Sequence, residues 1–138
     1  MNILKFDIEA GNFSKGGEAS SQLKSTLRKL GIPAQIIRKT AIVTYELEMN
    51  IIIHSLGGKL KSDIDPQRIK ILASDCGPGI EDLDKAFQPG YSTAEDSVRK
   101  LGFGAGMGLC NIKRYADDLN VTSEVDKGTE IEALIYLK

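Results

Sequence analysis

A glycine-rich stretch from Asp75 to Gly108 interrupts the helix and strand periodicity that runs through the rest of this sequence. A compact domain seldom keeps so much irregular chain idle, so the stretch is either a disordered tip or a functional loop. What remains of the 138 residues is enough for one hydrophobic core and too little for two. We therefore predict a single domain over residues 1–138.

Apolar residues on either side of this stretch recur at helical or alternating spacing, which predicts a few helices over one mixed sheet. The predicted elements are a strand over 1–10, helices over 17–30 and 33–56, two strands around a turn at 65–67, a helix over 109–119, and a hairpin over 121–137. Leu23, Leu27 and Leu30 form the apolar face of the first helix. The predicted apolar stripe of the second helix consists of Ile42, Tyr45, Met49, Ile52, Ile53 and Leu56.

The composition excludes several classes of protein. Lys and Arg number 18 against 19 Asp and Glu, whereas a nucleic-acid-binding protein usually has a basic excess. No apolar run is long enough to cross a bilayer, and the first ten residues alternate like a strand instead of forming a signal peptide. Cys76 and Cys110 form neither a metal cluster nor a disulfide framework. We expect a reduced cytoplasmic protein that binds neither nucleic acid nor membrane.

The second predicted helix carries a polar stripe of Glu46, Asn50 and His54. Residues four apart lie about 40° from one another around a helix, so these three share one side. An amide oxygen is a hard ligand that suits Mg²⁺, and a nearby carboxylate can accept a proton. A solvated helix face would have the same pattern, so this segment alone leaves both interpretations open.

Asp75 directly follows an apolar strand and precedes the turn Gly77-Pro78-Gly79. A carboxylate in this position can accept a hydrogen bond from the exocyclic amine of adenine, whereas guanine has an oxygen there. Leaving such buried acceptors unpaired would cost about 1–3 kcal/mol. The alternative is an ordinary turn without a ligand.

Alternating glycines from Gly102 to Gly108 lead into the helix that starts at Leu109. Glycine lets successive backbone N–H groups converge on an anion, and a helix N-terminus adds partial positive charge. The pattern is neither a Rossmann fingerprint nor a Walker A loop, which needs Gly-Lys-Ser/Thr. A phosphate-binding loop is favoured over an idle glycine loop.

In this order and spacing, the three segments resemble the N, G1 and G2 boxes of the Bergerat-fold ATPases, the superfamily of gyrase, Hsp90, histidine kinases and MutL. Gly128-Thr129-Glu130-Ile131 resembles the last adenine-site box. Within the superfamily, the chain is most similar to the short bacterial anti-sigma factors and switch kinases that phosphorylate a serine on a small antagonist protein. His54 and the segment 87–93, which resembles the head of the lid in stressosome switch kinases, support that subgroup.

The resemblance implies an α/β fold, a two-layer α+β sandwich with helices packed on one face of a mixed β-sheet. It implies ATP and Mg²⁺ as cofactors, with Glu46 as catalytic base, Asn50 as metal ligand and Asp75 as the adenine acceptor. Residues from about 87 to 106 would form an ATP lid. The implied nucleotide contacts are Asn50, Asp75, Gly77, Gly79, Ile80, Lys100, Gly102, Gly104, Ala105, Gly106, Met107, Gly108, Leu109 and Thr129.

For the γ-phosphate, Lys100 competes with Arg99 and Lys113 as the cationic contact. The implied partner is an antagonist of the STAS type, with a sigma factor or downstream regulator as a further candidate, and a homodimer fits such anti-sigma factors. A histidine kinase fragment is disfavoured because the only histidine, His54, lies inside the N-box helix. The glycine loop departs from the Gly-Leu-Gly-Leu pattern usual in these kinases, so a rival function stays open: a nucleotide-gated module that sequesters a partner without transferring phosphate.

Overall fold

Three helices and five strands make up the described part of the computed structural model, which covers residues 2–11, 16–76, 108–124 and 128–137. Their bounds match the predicted elements closely, except where noted below. They are β1 (Asn2–Ile8), α1 (Glu18–Lys29), α2 (Ala34–His54), β2 (Gly58–Ile64), β3 (Arg68–Asp75), α3 (Gly108–Tyr115), β4 (Asp118–Glu124) and β5 (Gly128–Tyr136).

The five strands form one sheet in the order β1-β2-β3-β5-β4, so β1 and β4 lie at its edges. All four pairings among these strands are antiparallel, and the expectation of a mixed sheet was wrong in that respect. Two of the pairs, β2 with β3 and β4 with β5, join strands across short connections, and such hairpins can pair only antiparallel. The turn between β2 and β3 is held by Asp65, whose Oδ1 accepts the N–H groups of Gln67 and Arg68.

The helices pack on one face of the sheet, and α2 is the central helix of that layer. It contacts α1 on one side and α3 on the other, and it lies across β1, β2, β3 and β5. Alternate sheet residues point toward it and are buried, as the period of two requires. These inward residues include Leu60, Ile64, Ile69, Ile71, Ala73, Ile131, Ala133 and Ile135. The two-layer α+β architecture is therefore confirmed.

The buried face of α2 differs from the predicted stripe. Val43, Leu47 and Ile51, four residues apart, are at most 1% exposed, whereas Tyr45 is 37% and Leu56 81% exposed. Thr40 and Thr44 lie on the buried side and made that face look polar in the sequence. Their hydroxyl groups donate to the backbone carbonyl four residues earlier, so they are buried with their hydrogen bonds satisfied.

The exposure of Leu30 and the end of the last helix also differ from the prediction. The first helix ends at Lys29, and Leu30 is 43% exposed because it lies at the C-cap before Gly31, whose φ is +74°. The last helix ends at Tyr115 instead of residue 119. There the N–H of Asp117 donates to the carbonyl of Leu134, which directs the chain into β4.

A carboxylate from α2 caps the start of α1. Gly17, the N-cap residue of α1, has no side chain that could accept a hydrogen bond, and Glu48 takes that role from the neighbouring helix. The N–H of Ala19 donates to Glu48 Oε2 over 3.1 Å, and the side chain is 2% exposed. Burial raises the pKa of Glu48, while hydrogen bonds from the α1 backbone act in the opposite direction.

No helix within the described ranges combines the length and apolar character needed to span a bilayer.

Candidate functional site

Helix α2 places Glu46 and Asn50 one turn apart, both half-buried, and Glu46 faces α3. Burial raises the pKa of the Glu46 carboxyl, and a hydrogen bond with the side chain of Asn111 on α3 partly offsets that effect. A carboxylate that is desolvated but oriented by an amide donor is a better proton acceptor than a fully solvated one. For His54, the structure describes the helix backbone but not the side chain.

Asp75 stands half-buried at the last position of β3. Thr129 on the neighbouring strand β5 donates its backbone N–H to Asp75 Oδ1 over 3.0 Å. Burial raises the pKa of Asp75, and the Thr129 hydrogen bond acts against that rise. The two residues that the sequence assigned to the adenine site therefore meet across adjacent strands, although 54 residues separate them in the chain.

Two glycines flank Asp75, one on each neighbouring strand. Gly58 lies opposite Asp75 in the β2–β3 register, and a Cβ at that position would overlap the carbonyl oxygen of Ser74. A Cβ at Gly128 on β5 would overlap the carbonyl oxygen of Asp75 itself and lie 3.3 Å from its Oδ1. The end of β3 is thus held between two strands whose backbones approach it closely because they have no side chains there.

The side chain of Thr129 is buried and bonded to β4. Its hydroxyl lies 2.9 Å from the hydroxyl of Ser123, which in turn reaches the carbonyl of Gly128 at 3.3 Å. These contacts fix Thr129, and with it the N–H that holds Asp75, at the end of the β4–β5 hairpin. No sequence pattern pointed to Ser123, because its role depends on the strand register.

Replacing Gly128 with alanine should lower the free energy of unfolding by about 2–4 kcal/mol, since strain at a positive φ and overlap with Asp75 both contribute. Gly128 has a φ of +135°. Gly31→Ala is the matched control, because Gly31 also has a positive φ but nothing within 4 Å of an added Cβ. We expect it to cost about 1 kcal/mol, from backbone strain alone. Urea unfolding of both variants measures the difference, and equal losses would contradict the close approach at Asp75.

The glycine loop and lid that the sequence predicted lie largely outside the described residues. Gly108 and Leu109 form the first turn of α3, and Lys113 is exposed on the same helix. Helix α3 packs against α2, so the start of α3 and the Glu46–Asn50 side of α2 belong to one region. The remaining candidates lie outside the described ranges: Gly77, Gly79, Ile80, Arg99, Lys100, Gly102, Gly104, Ala105, Gly106 and Met107.

Asn111 is a second polar residue that sequence reasoning missed. It lies on α3 one turn after Gly108, directly behind the glycine-rich stretch, and its side chain bonds to Glu46. The available signal was positional: an amide within the first turns of the helix that follows the loop. Identifying its partner required knowing that α3 packs on α2.

The arrangement therefore has two parts. One is a carboxylate at a strand end, fixed by a backbone N–H between close-packed strands, which can accept a hydrogen bond from a planar ligand. The other is a half-buried carboxylate and an amide on α2, which can accept a proton and offer a hard oxygen. The described residues contain no group of three or more His, Cys, Asp or Glu side chains that could hold a metal by themselves.

Comparison with known proteins gives a consistent result. The family described as histidine kinase-, DNA gyrase B- and HSP90-like ATPase matches residues 37–138. The serine/threonine-protein kinase RsbT of Bacillus subtilis is 30% identical over 125 residues, which cover 87% of this chain and 88% of RsbT. An anti-sigma F factor of Thermoanaerobacter sp. is 36% identical over 104 residues, covering 72% of this chain and 68% of that protein.

Among solved structures, a chain of the SiaB-SiaC complex from Pseudomonas aeruginosa superposes with a TM-score of 0.64 at 16% identity. The alignment covers 96% of this chain and 88% of that one. At this identity the match establishes a shared fold.

Proposed function

This chain belongs to the histidine kinase-, DNA gyrase B- and HSP90-like ATPase family, and on that basis we propose that it is an ATP-dependent kinase that phosphorylates a serine on a small partner protein. Its similarity to RsbT, a serine/threonine-protein kinase, extends over most of both chains. We further propose that residues 1–138 form one domain, because residues from β1 to β5 share a single hydrophobic core. We place the protein in the cytoplasm, where its cosubstrate ATP is found.

The observation that carries the kinase proposal is the half-buried carboxylate of Glu46, four residues before Asn50 on α2. In the proposed reaction, Glu46 takes the proton from the incoming serine hydroxyl as the serine oxygen bonds to the γ-phosphorus. The bond between that phosphorus and its bridging oxygen breaks, and ADP leaves with the bonding electrons. The raised pKa of Glu46 suits this role, since it brings the carboxyl closer to the working pH.

Asp75 is proposed to read adenine. Thr129 occupies one carboxylate oxygen, so the carboxylate has a fixed orientation before nucleotide arrives. An acceptor fixed in this way favours the amine of adenine over the oxygen of guanine. We therefore propose that the protein binds ATP and ADP in preference to GTP.

Asn50 is proposed as the protein ligand of Mg²⁺. In phosphoryl-transfer sites this ion keeps several waters and takes only one or two protein oxygens beside the nucleotide phosphates. A single amide oxygen on α2 fits that requirement, and a complete protein cage is not needed. When bound with ATP, the ion would supply positive charge against the phosphates.

Asn50→Ala is expected to weaken Mg²⁺-dependent ATP binding by about tenfold while leaving metal-free nucleotide binding unchanged, since the adenine contact at Asp75 stays intact. Titration calorimetry with Mg²⁺ and with EDTA measures the metal-dependent and the metal-free ATP affinity separately. Ser25→Ala, an exposed change on α1, serves as the control. If Asn50→Ala weakens binding equally in EDTA, Asn50 contributes to the fold or to the nucleotide and not to the metal.

The proposed partner is a small antagonist protein of the STAS type, with a sigma factor or downstream regulator as an additional partner. The support comes from the relatives, which include an anti-sigma F factor. The direct test incubates the full chain and Mg²⁺ with γ-³²P-labelled ATP and an antagonist protein encoded beside it. Phosphoserine on the antagonist supports the kinase. Binding that responds to ATP without phosphoserine would instead favour the nucleotide-gated module.

A further inference from the structure

A groove of about 320 Å³ runs along the edge of β1 that has no strand partner among the described strands. Its long wall is β1 and the residue after it, from Lys5 to Glu9, and its other walls are the start of α1 and the residues Glu48 and Ile52 of α2. We refer to it as the β1 groove. The groove exists because α1 packs against α2 and makes little contact with β1.

The wall formed by β1 is a strand edge. Among the described strands β1 pairs only with β2, so its other side has no strand partner there. Every second residue of such an edge presents its backbone N–H and C=O outward, which is a template for another extended segment. Phe6 and Ile8 point toward the helices, whereas Lys5 and Asp7 lie on the exposed face. A segment added to β1 would alternate in the same way.

The groove is acidic. Of the described residues that line it, four carry carboxylates (Asp7, Glu9, Glu18 and Glu48) and one, Lys5, carries an amine. Glu48 forms part of the inner wall at 2% exposure, with Oε2 occupied by the N–H of Ala19. Its second oxygen, Oε1, accepts no hydrogen bond of good geometry among the described residues, although the backbone N–H groups of Gly17 and Ser20 also act on this carboxyl. A buried carboxylate oxygen without a donor is unfavourable, so the inner wall favours an occupant that carries one.

We propose that the β1 groove binds an extended, basic segment of a partner protein, which pairs with the edge of β1 and places a Lys or Arg side chain beside Glu48 and Glu18. Backbone pairing would supply affinity and the inward basic side chain would supply specificity. Apolar residues at the flanking inward positions would contact Ala19 and Ile52. This inference does not depend on phosphotransfer, and a partner that is never phosphorylated could use the groove.

A second copy of this chain is the less suitable occupant. Its β1 edge would bring Asp7 and Glu9 together with Lys5, and so add net negative charge to a groove that is already acidic. Like charges placed together at an interface cost affinity. A basic segment from another protein has the opposite, complementary charge.

The test uses the full chain and a fluorescein-labelled probe peptide, Thr-Val-Thr-Lys-Thr-Val-Thr, which places valine and lysine on one side when extended. Fluorescence anisotropy should show binding at least about tenfold tighter than for the same peptide with glutamate in place of lysine. A third peptide, N-methylated at alternate amides, should also bind at least about tenfold more weakly, because strand pairing loses its donors. Equal binding of the lysine and glutamate peptides would overturn the proposal.

Glu18→Lys reverses an exposed charge at the groove and should weaken the binding of the lysine peptide by about tenfold. Asp118→Lys makes the same kind of reversal at the opposite edge strand, β4, and should leave the affinity unchanged. Equal effects of the two variants would place the peptide elsewhere. Sedimentation of the wild-type chain completes the test: a dimer that Glu18→Lys dissociates would mean that a second copy fills the groove, and the proposal would fail.

Discussion

Glu46→Gln is expected to reduce phosphoserine formation on a confirmed partner by about 10²–10⁴-fold, the usual loss when a general base is removed. Glutamine keeps the shape of the side chain and can still hydrogen-bond to Asn111, but it cannot take a proton. ATP affinity and partner binding should stay near normal, because Asp75 and the β1 groove are untouched. The measurement is single-turnover transfer of labelled phosphate, with affinities determined separately by calorimetry.

The stability of Glu46→Gln provides the internal control. Burial raises the pKa of Glu46, so its charged form is less favourable in the folded chain than in the unfolded one. A neutral isostere should therefore fold at least as well as wild type at neutral pH. The wild-type rate should also fall as the pH is lowered through this raised pKa, because the protonated acid cannot act as a base. Equal phosphorylation by wild type and variant would rule out Glu46 as the base.

Asp75→Asn is expected to weaken ATP binding by about 100-fold. The direction follows from Thr129, whose N–H donates to Oδ1 of Asp75. An asparagine must turn its oxygen toward that N–H, so its NH₂ group faces the position proposed for the adenine amine. Two donors then meet, and the site loses its acceptor. Calorimetry with ATP measures the loss, and unchanged affinity would remove Asp75 from the adenine site.

Asp65→Asn is the matched control for this substitution, since Asp65 lies beside the other end of β3. Hydrogen bonds from Gln67 and Arg68 lower the pKa of Asp65, whereas burial raises that of Asp75. The signs for stability are therefore opposite. Asp65 stabilises the fold above its unfolded pKa, so Asp65→Asn should reduce stability at neutral pH without changing ATP affinity. Asp75 destabilises the fold as the pH rises through its raised pKa, so Asp75→Asn should match or exceed wild-type stability there.

A feature of the fold could be predicted from the sequence when the residues that cause it lie close together in the chain. The hairpin turn at Asp65 and the end of α1 at Gly31 depend on neighbouring residues, and both were found from sequence. The buried face of α2 was predicted only in part: Met49 and Ile52 are buried as expected. The rest of that face was missed because Thr44 and Glu48 read as polar. Thr44 hydrogen-bonds within its own helix, and Glu48 caps α1 at Ala19, 29 residues earlier in the chain.

The same distinction between local and long-range causes applies to the candidate site. Glu46 and Asn50 share one helix, so their spacing alone predicted that they would lie on one side. The contact of Glu46 with Asn111 depends on the packing of α3 against α2, which no local pattern encodes. The closeness of Gly128 to Asp75 depends on strand register in the same way.

The two glycines beside Asp75 have a consequence for redesigning base preference. Where a pocket wall is made of side chains, a designer can enlarge it, shrink it or change its polarity one residue at a time. Here the strands on both sides of the acceptor present only main chain, and even a methyl group at Gly58 or Gly128 collides with the backbone of β3. If Asp75 reads adenine as proposed, selectivity for a different base has to be engineered from the opposite side of the pocket, because no side chain can be added at this strand end without a collision.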